Sequence, residues 1–501
     1  MSAAANTIAN MAPTPRSVRV AILGAGMSGI CMGIQLRKQG IDDFIILEKA
    51  ASVGGTWREN TYPGVACDVP SHVYSFSFEL NPNWSHSYSS GREIWDYCEH
   101  CVDKYALRSK IHFGSTVTNV EFDGDRWQVQ TEDGRQLTAN VVVSGLGGLH
   151  LPNHATIDGI NSFDGTLFHT AQWNHNHDLT GRRVAIIGTG ASTAQVLPGI
   201  AADVAQVTVF QRSAAWVFPR LAHDIPEQRR ATFRRFPWLM RLYRWFLWLM
   251  MDVTGTLSLR RNSWFSNQLR NVGLAHLEAS VTDPDVRVRL TPDYEPGCKR
   301  RCISDDYLST FNRDNVHLVT DPIAKVERNG IRDATGKLHA VDTIIEATGF
   351  RPFDITDYVN ITGRDGRRLR DVWTDHVESF RTLMVPGFPN FFMLLGPNSA
   401  TGHTSALIMI ESQARYVVHA LQLMARHKLA YIDPDPDVVA RYNARLQNDM
   451  QRMVFSGGCN SWYTDANDRN FTLWPYSAMR FLAELWRPKR DEFRVKHLTA
   501  E

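Results

Sequence analysis

The chain has 501 residues, beyond the size at which a single core keeps growing, so two or three domains are expected. Its 43% hydrophobic and 21% charged residues are ordinary for a globular protein. The 54 basic and 52 acidic side chains leave +2, with no basic stripe of the kind a nucleic-acid binder carries.

Residues 1–16 are rich in Ala, Asn and Pro, without a charged start or an apolar run; they read as a disordered tail and not as a signal peptide. Val18-Arg-Val-Ala-Ile-Leu is a short apolar run of the buried parallel-strand type. It leads into Gly24-Ala-Gly26-Met-Ser-Gly29, a helical stretch to about Gln39, and a second strand, Phe44-Ile-Ile-Leu, that ends on Glu48. In that setting Gly24 serves the tight turn, Gly26 the approach of backbone to a pyrophosphate, and Gly29 the close packing of helix on strand. The helix N-terminus offers amide donors to the phosphates, and Glu48 suits a free ribose 2′-hydroxyl, as in FAD or NAD. Cys98 and Cys101 form a lone C-x-x-C in an amphipathic helical stretch starting near Arg92, without a second ligand pair for zinc, so they read as packing residues and no metal site is expected. The seven cysteines, odd in number and scattered, point to a reduced, cytoplasmic protein.

The same grammar returns at Arg183-Val-Ala-Ile-Ile, Gly188-Thr-Gly190-Ala-Ser-Thr193 and the strand Val207-Thr-Val-Phe. Thr193 replaces the third glycine, which should hold helix and strand slightly further apart. Gln211-Arg212 stands where an acid would bind an NAD ribose, and a guanidinium there can grip a 2′-phosphate. One acid-ended and one arginine-ended site fit FAD in the first and NADPH in the second. Between Pro219 and Pro292 comes a helical insertion dense in aromatics over residues 236–251, interrupted by Arg241 and Arg244 and far short of a spanning segment. A helical subdomain packed on the nicotinamide domain is expected; contact with a membrane surface or an apolar substrate entrance is the other reading. Val341-Asp-Thr-Ile-Ile-Glu-Ala347-Thr-Gly349-Phe350 is a further apolar strand ending in a small-residue turn, with a counterpart in Val141-Val-Val-Ser-Gly145-Leu-Gly147. No redox C-x-x-x-x-C follows the first fingerprint, which disfavours a flavin disulfide reductase.

Two stretches narrow the family. Gly54-Gly55-Thr56-Trp57-Arg-Glu-Asn-Thr-Tyr62-Pro63-Gly64-Val-Ala-Cys-Asp68 matches G-G-x-W-x-x-x-x-Y-P-G-x-x-x-D throughout. Phe163-Asp-Gly165-Thr-Leu-Phe-His169-Thr-Ala-Gln-Trp173 matches F-x-G-x-x-x-H-x-x-x-W, although Asn174 follows where Pro or Asp is usual. From about Val18 to Pro488 the chain resembles the Baeyer–Villiger monooxygenases. Gly396-Pro-Asn-Ser-Ala-Thr-Gly-His403 and Gly457-Gly-Cys-Asn-Ser-Trp462-Tyr-Thr-Asp resemble the subgroup that includes 4-hydroxyacetophenone monooxygenase.

The resemblance implies an α/β fold with two Rossmann-like dinucleotide-binding domains. A discontinuous FAD domain (17–150 and 346–501) would hold an inserted NADPH domain (179–345, with the helical insertion at about 220–292), joined by a linker at 151–178. It implies a ketone and dioxygen as substrates and an ester or lactone product formed through a flavin C4a-peroxide. The alternative is an N- or S-oxygenating flavin monooxygenase, disfavoured by Trp173. Gly297-Cys-Lys299-Arg300 looks like the segment whose arginine reaches the flavin, so Arg300 would stabilise the peroxide anion and Asp68 would hold Arg300. Gly55, Thr56, Trp57 and Tyr62 are further cofactor-binding candidates, Lys299 a candidate for the 2′-phosphate, and His169 and Trp173 for a domain hinge. The ketone and the oligomeric state stay open.

Overall fold

A computed structural model describes residues 17–498 apart from Phe353, Asn460 and Ala466, so the tail assigned to residues 1–16 lies outside the described residues. Two sheets organise the chain. The first has eight strands, with Ser17–Leu23 at its centre, parallel to Phe44–Leu47 on one side and Gln136–Ser144 on the other. All four residues of Phe44–Leu47 are buried, as expected of a parallel strand covered on both faces. Helix Met27–Lys38 covers one face and packs on helix Ala406–His427 from the far end of the chain.

Two late strands, Asn360–Thr362 and Phe391–Met393, pair with Val117–Phe122 and Gln136–Ser144 of this first sheet. The first unit is therefore built from both ends of the chain. The second sheet is wholly parallel, in the order Val316–Val319, Gln206–Phe210, Arg183–Ile187, Thr343–Glu346, Thr166–His169. Its edge strand, Thr166–His169, lies inside the stretch read from sequence as a linker. A three-stranded antiparallel ribbon, Ile323–Glu327, Gly330–Asp333 and Leu338–Ala340, precedes the strand Thr343–Glu346.

The insertion is helical: Glu227–Arg235, Pro237–Ser258, Trp264–Ser280 and Pro284–Arg289. The expectation that it packs on the nicotinamide domain holds only for its second half. Helix Trp264–Ser280 meets Trp216 and Phe218 there, where a Cβ on Gly273 would stand 2.8 Å from the Trp216 ring. The long Pro237–Ser258 helix docks on the first unit instead. Leu247, Trp248 and Met251 join that core, and the buried Asp252 accepts the Ala478 amide at 2.6 Å and pairs with His403 Nε2 at 3.1 Å. Burial pushes Asp252 up, but the bonds from His403, Ala478 and Met479 outweigh it and hold its carboxyl below the usual range. Arg244, read as an interruption, points inward and donates to the Ser75 carbonyl at 3.2 Å. A buried acid on an otherwise apolar helix is what periodicity alone leaves unassigned.

The cysteines also differ from expectation. Cys98 and Cys101 are buried free thiols on helix Gly91–Lys104, as packing residues should be. Cys298 and Cys459, however, are joined in a disulfide across 161 residues of sequence, so the chain is not fully reduced. An odd total hid the pair, because five cysteines remain free.

Candidate functional site

The first fingerprint forms as its glycines require. A Cβ on Gly29 would stand 1.9 Å from the Gly24 carbonyl oxygen, so only glycine lets helix Met27–Lys38 lie this close to the strand before it. That helix starts at Gly26 with no side chain capping its free amides. Helices Gly91–Lys104 and Ala406–His427, by contrast, are capped by Ser90 and Ser405. Uncapped amides at a glycine turn are the donors that a pyrophosphate needs. Glu48 is buried at the end of the second strand, its Oε2 accepting the Ala25 amide at 2.7 Å and its Oε1 the Ala50 amide at 2.9 Å. A carboxylate has lone pairs to spare beyond these two bonds, so it still suits a ribose hydroxyl. Gly55 presses on the same turn, its Cβ position 3.1 Å from the Gly26 Cα, and Thr56 is exposed beside it. These residues fit a flavin dinucleotide.

The second fingerprint repeats the arrangement with one change. Gly188 opposes the Ala347 carbonyl as Gly24 opposes that of Gly145, and helix Ala191–Ile200 starts at Gly190, again without a side-chain cap. Thr193 is fully buried, and its hydroxyl donates to the Gly188 carbonyl at 2.9 Å. The third glycine's close approach is thus replaced by a hydrogen bond. At the end of the next strand, Arg212 is exposed and makes no ion pair among the described residues. Lys299 reaches the same corner from the Gly297–Arg300 segment, its Nζ donating to Ser213 Oγ at 2.9 Å. Burial lowers the Lys299 ammonium, and Arg212 adds to that, with Asp293 acting the other way. Two cations brought together without a shared carboxylate fit a nucleotide phosphate.

The long motif joins the two units. Tyr62 is buried in the second unit's core, and its hydroxyl donates to Gln195 Oε1 at 3.0 Å. Gln195 Nε2 donates to the Ala66 carbonyl at 3.0 Å, and a Cβ on Gly64 would stand 2.6 Å from the Gln195 carbonyl oxygen. Trp57 stays with the first unit, its Nε1 donating to the Tyr74 hydroxyl at 3.0 Å. At the motif's end Asp68 forms an ion pair with Arg300. Asp68 raises the guanidinium further above its ordinary pKa, against the opposing pull of burial. The side chains are 39% and 25% exposed, so solvent screens the pair to between about 1 kcal/mol, as at a surface, and about 4 kcal/mol, as at 4 Å in an effective dielectric near 20. The neighbouring Arg301 turns elsewhere, donating to the Gly402 carbonyl at 2.7 Å, which fixes the register of the arginine pair.

His169 is fully buried at the end of the edge strand, with Nδ1 accepting the Ala171 amide at 3.1 Å and its ring 6.0 Å from Phe350, where the chain leaves the second sheet. Burial lowers its pKa, with Glu346 acting in the opposite direction. Trp173 packs edge-on against Phe168 at 5.1 Å. Sequence reasoning missed Gln195, Ser213, Tyr463 and the disulfide. Burial pushes the Tyr463 hydroxyl up to about 12, against the pull of Arg300 and Arg301. Cys298 sits in the Gly297–Arg300 segment and Cys459 in the stretch 457–465 that carries the subgroup resemblance, and nothing in the sequence linked the two.

Residues 21–225 match the family described as pyridine nucleotide-disulphide oxidoreductase. The chain is similar to a Baeyer–Villiger monooxygenase of Pseudomonas aeruginosa, 42% identical over 478 residues that cover 94% of this chain and 90% of the relative. Among solved structures, the closed form of cyclohexanone monooxygenase superposes with a TM-score of 0.86 at 25% identity, covering 97% of this chain and 100% of that one. OTEMO in complex with FAD and NADP gives 0.84 at 25% identity, covering 94% and 98%.

Proposed function

The chain belongs to the Baeyer–Villiger monooxygenase family, and from that premise we propose that it places one oxygen atom of dioxygen beside the carbonyl of a ketone. It is a flavoprotein monooxygenase that works with FAD and NADPH; its relatives do not favour N- or S-oxygenation. Ketone, dioxygen, NADPH and a proton give ester or lactone, NADP⁺ and water. Bound flavin, once reduced by the nicotinamide, supplies the activation of dioxygen.

The observation that carries the proposed roles is the Arg300–Asp68 ion pair on a segment whose next residue back, Lys299, reaches the second fingerprint. Attack on a carbonyl carbon needs an oxygen that keeps its negative charge. Arg300 offers that oxygen a fixed positive charge and has no proton to give away, because Asp68 raises a pKa that is already far above neutral. Asp68 is a positioning residue: it holds the guanidinium on the side where the two units meet. A donor aimed at developing charge contributes about 10²–10³-fold in rate. Glu48, with Gly24, Gly26, Gly29, Gly55 and Thr56, would bind the flavin dinucleotide, with Trp57 contributing from the same unit and Tyr62 from the core of the second. Gly188 and Gly190 would bind the nicotinamide pyrophosphate, and Arg212 with Lys299 its 2′-phosphate. His169 lies against Phe350, where the chain leaves the second sheet, which supports a hinge role and not that of a general base. Trp173 packs on Phe168 within the second unit and would act through that strand.

The experiment is a screen of NADPH consumption against cyclic, aryl and long-chain ketones, with ester and hydrogen peroxide measured together. Ester formed in step with NADPH supports the reading. Peroxide alone with every ketone contradicts it.

A further inference from the structure

The outer face of the insertion has no partner in the fold. On helix Pro237–Ser258, Trp238, Leu242, Trp245, Phe246, Met250 and Val253 recur at three- and four-residue spacing and are between 45% and 60% exposed. Soluble surfaces scatter such side chains singly; here they form one continuous face. An apolar groove of about 560 Å³ opens beside it, lined by Phe233, Leu239, Leu242, Tyr243 and Phe246 with Arg229 at its rim. The opposite face of the same helix is anchored, through Asp252 and His403.

The charge around this face is strongly one-sided. From Glu227 to Arg261 there are eight arginines, of which Arg244 points inward, and two carboxylates, in a chain whose net charge is only +2. One of the two acids, Asp252, is buried, and the other, Glu227, is paired with Arg230 and Arg234. Arg229, Arg235 and Arg241 are exposed and have no carboxylate partner among the described residues. No helix among the described residues is long and apolar enough to cross a membrane. A helix with tryptophans on one face and arginines along its border is suited to lie in the plane of a bilayer, its apolar side sunk roughly 5–10 Å.

We propose that the Glu227–Arg235 and Pro237–Ser258 helices dock this protein on an anionic phospholipid surface. The arginines would meet lipid phosphates, and Trp238, Trp245 and Phe246 would enter the boundary between headgroups and acyl chains. A second copy of the chain is a poorer occupant, because a two-fold contact through this face would set the two arginine clusters against each other. The proposal is independent of the oxygenation chemistry.

The test is flotation of the flavin-loaded full chain with phosphatidylcholine vesicles, with and without phosphatidylglycerol. The protein should float with the anionic vesicles and stay behind with phosphatidylcholine alone, and the binding should weaken as salt is raised and the Debye length shortens. Each of Arg229→Gln, Arg235→Gln and Arg241→Gln should lower partitioning about fivefold. The triple variant Trp238→Ser/Trp245→Ser/Phe246→Ser should cease to float while keeping its flavin and its NADPH oxidation. If the triple variant loses flavin, the three single variants carry the test, each expected to weaken flotation with flavin retained. Wild-type protein that fails to float with anionic vesicles overturns the proposal. So does a dimer in light scattering that the triple variant dissolves, which would give the face to a second copy.

Discussion

Removal of the Arg212 guanidinium should separate the two nicotinamide coenzymes. Arg212 is exposed at the end of a parallel strand and, among the described residues, has no ion-pair partner, while Lys299 is drawn into the same corner by Ser213 at 2.9 Å. Without nucleotide the two cations repel each other, and Lys299 is lowered for that reason as well as by burial. A 2′-phosphate relieves the repulsion and accepts hydrogen bonds from both. One hydrogen bond to a charged group contributes about 1.5–3 kcal/mol, so Arg212→Ala should lower kcat/KM for NADPH by about 10- to 150-fold. NADH has no phosphate there and should change little. Lys299→Ala should act in the same direction, and the double variant should lose less than the sum, because both residues serve one phosphate. The assay is steady-state kinetics with both coenzymes on the three variants. Equal losses for NADPH and NADH would refute the assignment and indicate general damage.

Glu48→Ala should weaken FAD retention, with much of the turnover returning in saturating FAD; normal flavin content in the purified variant would rule out the ribose contact. His72 is buried between the first unit and the insertion, 5.2 Å from the Phe233 ring and 5.4 Å from that of Tyr243. Burial, with Arg229, pushes it down to about 4. Its folded pKa is depressed, so its stabilisation is full above the ordinary value near 6.5 and is lost as pH falls towards about 4, a change of about 3 kcal/mol at about 1.4 kcal/mol per unit. Denaturation curves at several pH values should show that slope, and His72→Phe should flatten it; an unchanged slope in the variant would remove His72 as its source. Denatured, unreduced protein should titrate five thiols and not seven; a count of seven would break the Cys298–Cys459 assignment.

The parts of the fold with a local cause could be read directly from the sequence. Gly29 could be assigned its role because a helix that close to a strand admits no side chain, and the structure shows the 1.9 Å that a Cβ would meet. Glu48 and Arg212 stand at strand ends, where the rise per residue fixes the position. The Arg300–Asp68 pair came from matched motifs 232 residues apart, since no periodicity links positions so distant. Partners chosen by tertiary packing stayed hidden. Gln195 looks like any polar residue of a helix, yet it bonds Tyr62 and Ala66 across the units. The docking side of helix Pro237–Ser258 could not be read either. Apolar side chains occur on both its faces, and the buried face is marked instead by Asp252, Gly255 and Ser258.

The most direct test of the proposed chemistry is an Arg300→Ala enzyme followed by stopped-flow spectra under labelled dioxygen. The variant should still bind FAD and be reduced by NADPH, because reduction needs only a nicotinamide stacked near the flavin. Without the fixed charge, oxygen should leave as hydrogen peroxide, NADPH consumption should continue, and labelled ester should fall by about 10²–10³-fold. Asp68→Ala should show a milder version of the same uncoupling. Labelled ester formed by Arg300→Ala at the wild-type rate would contradict the account.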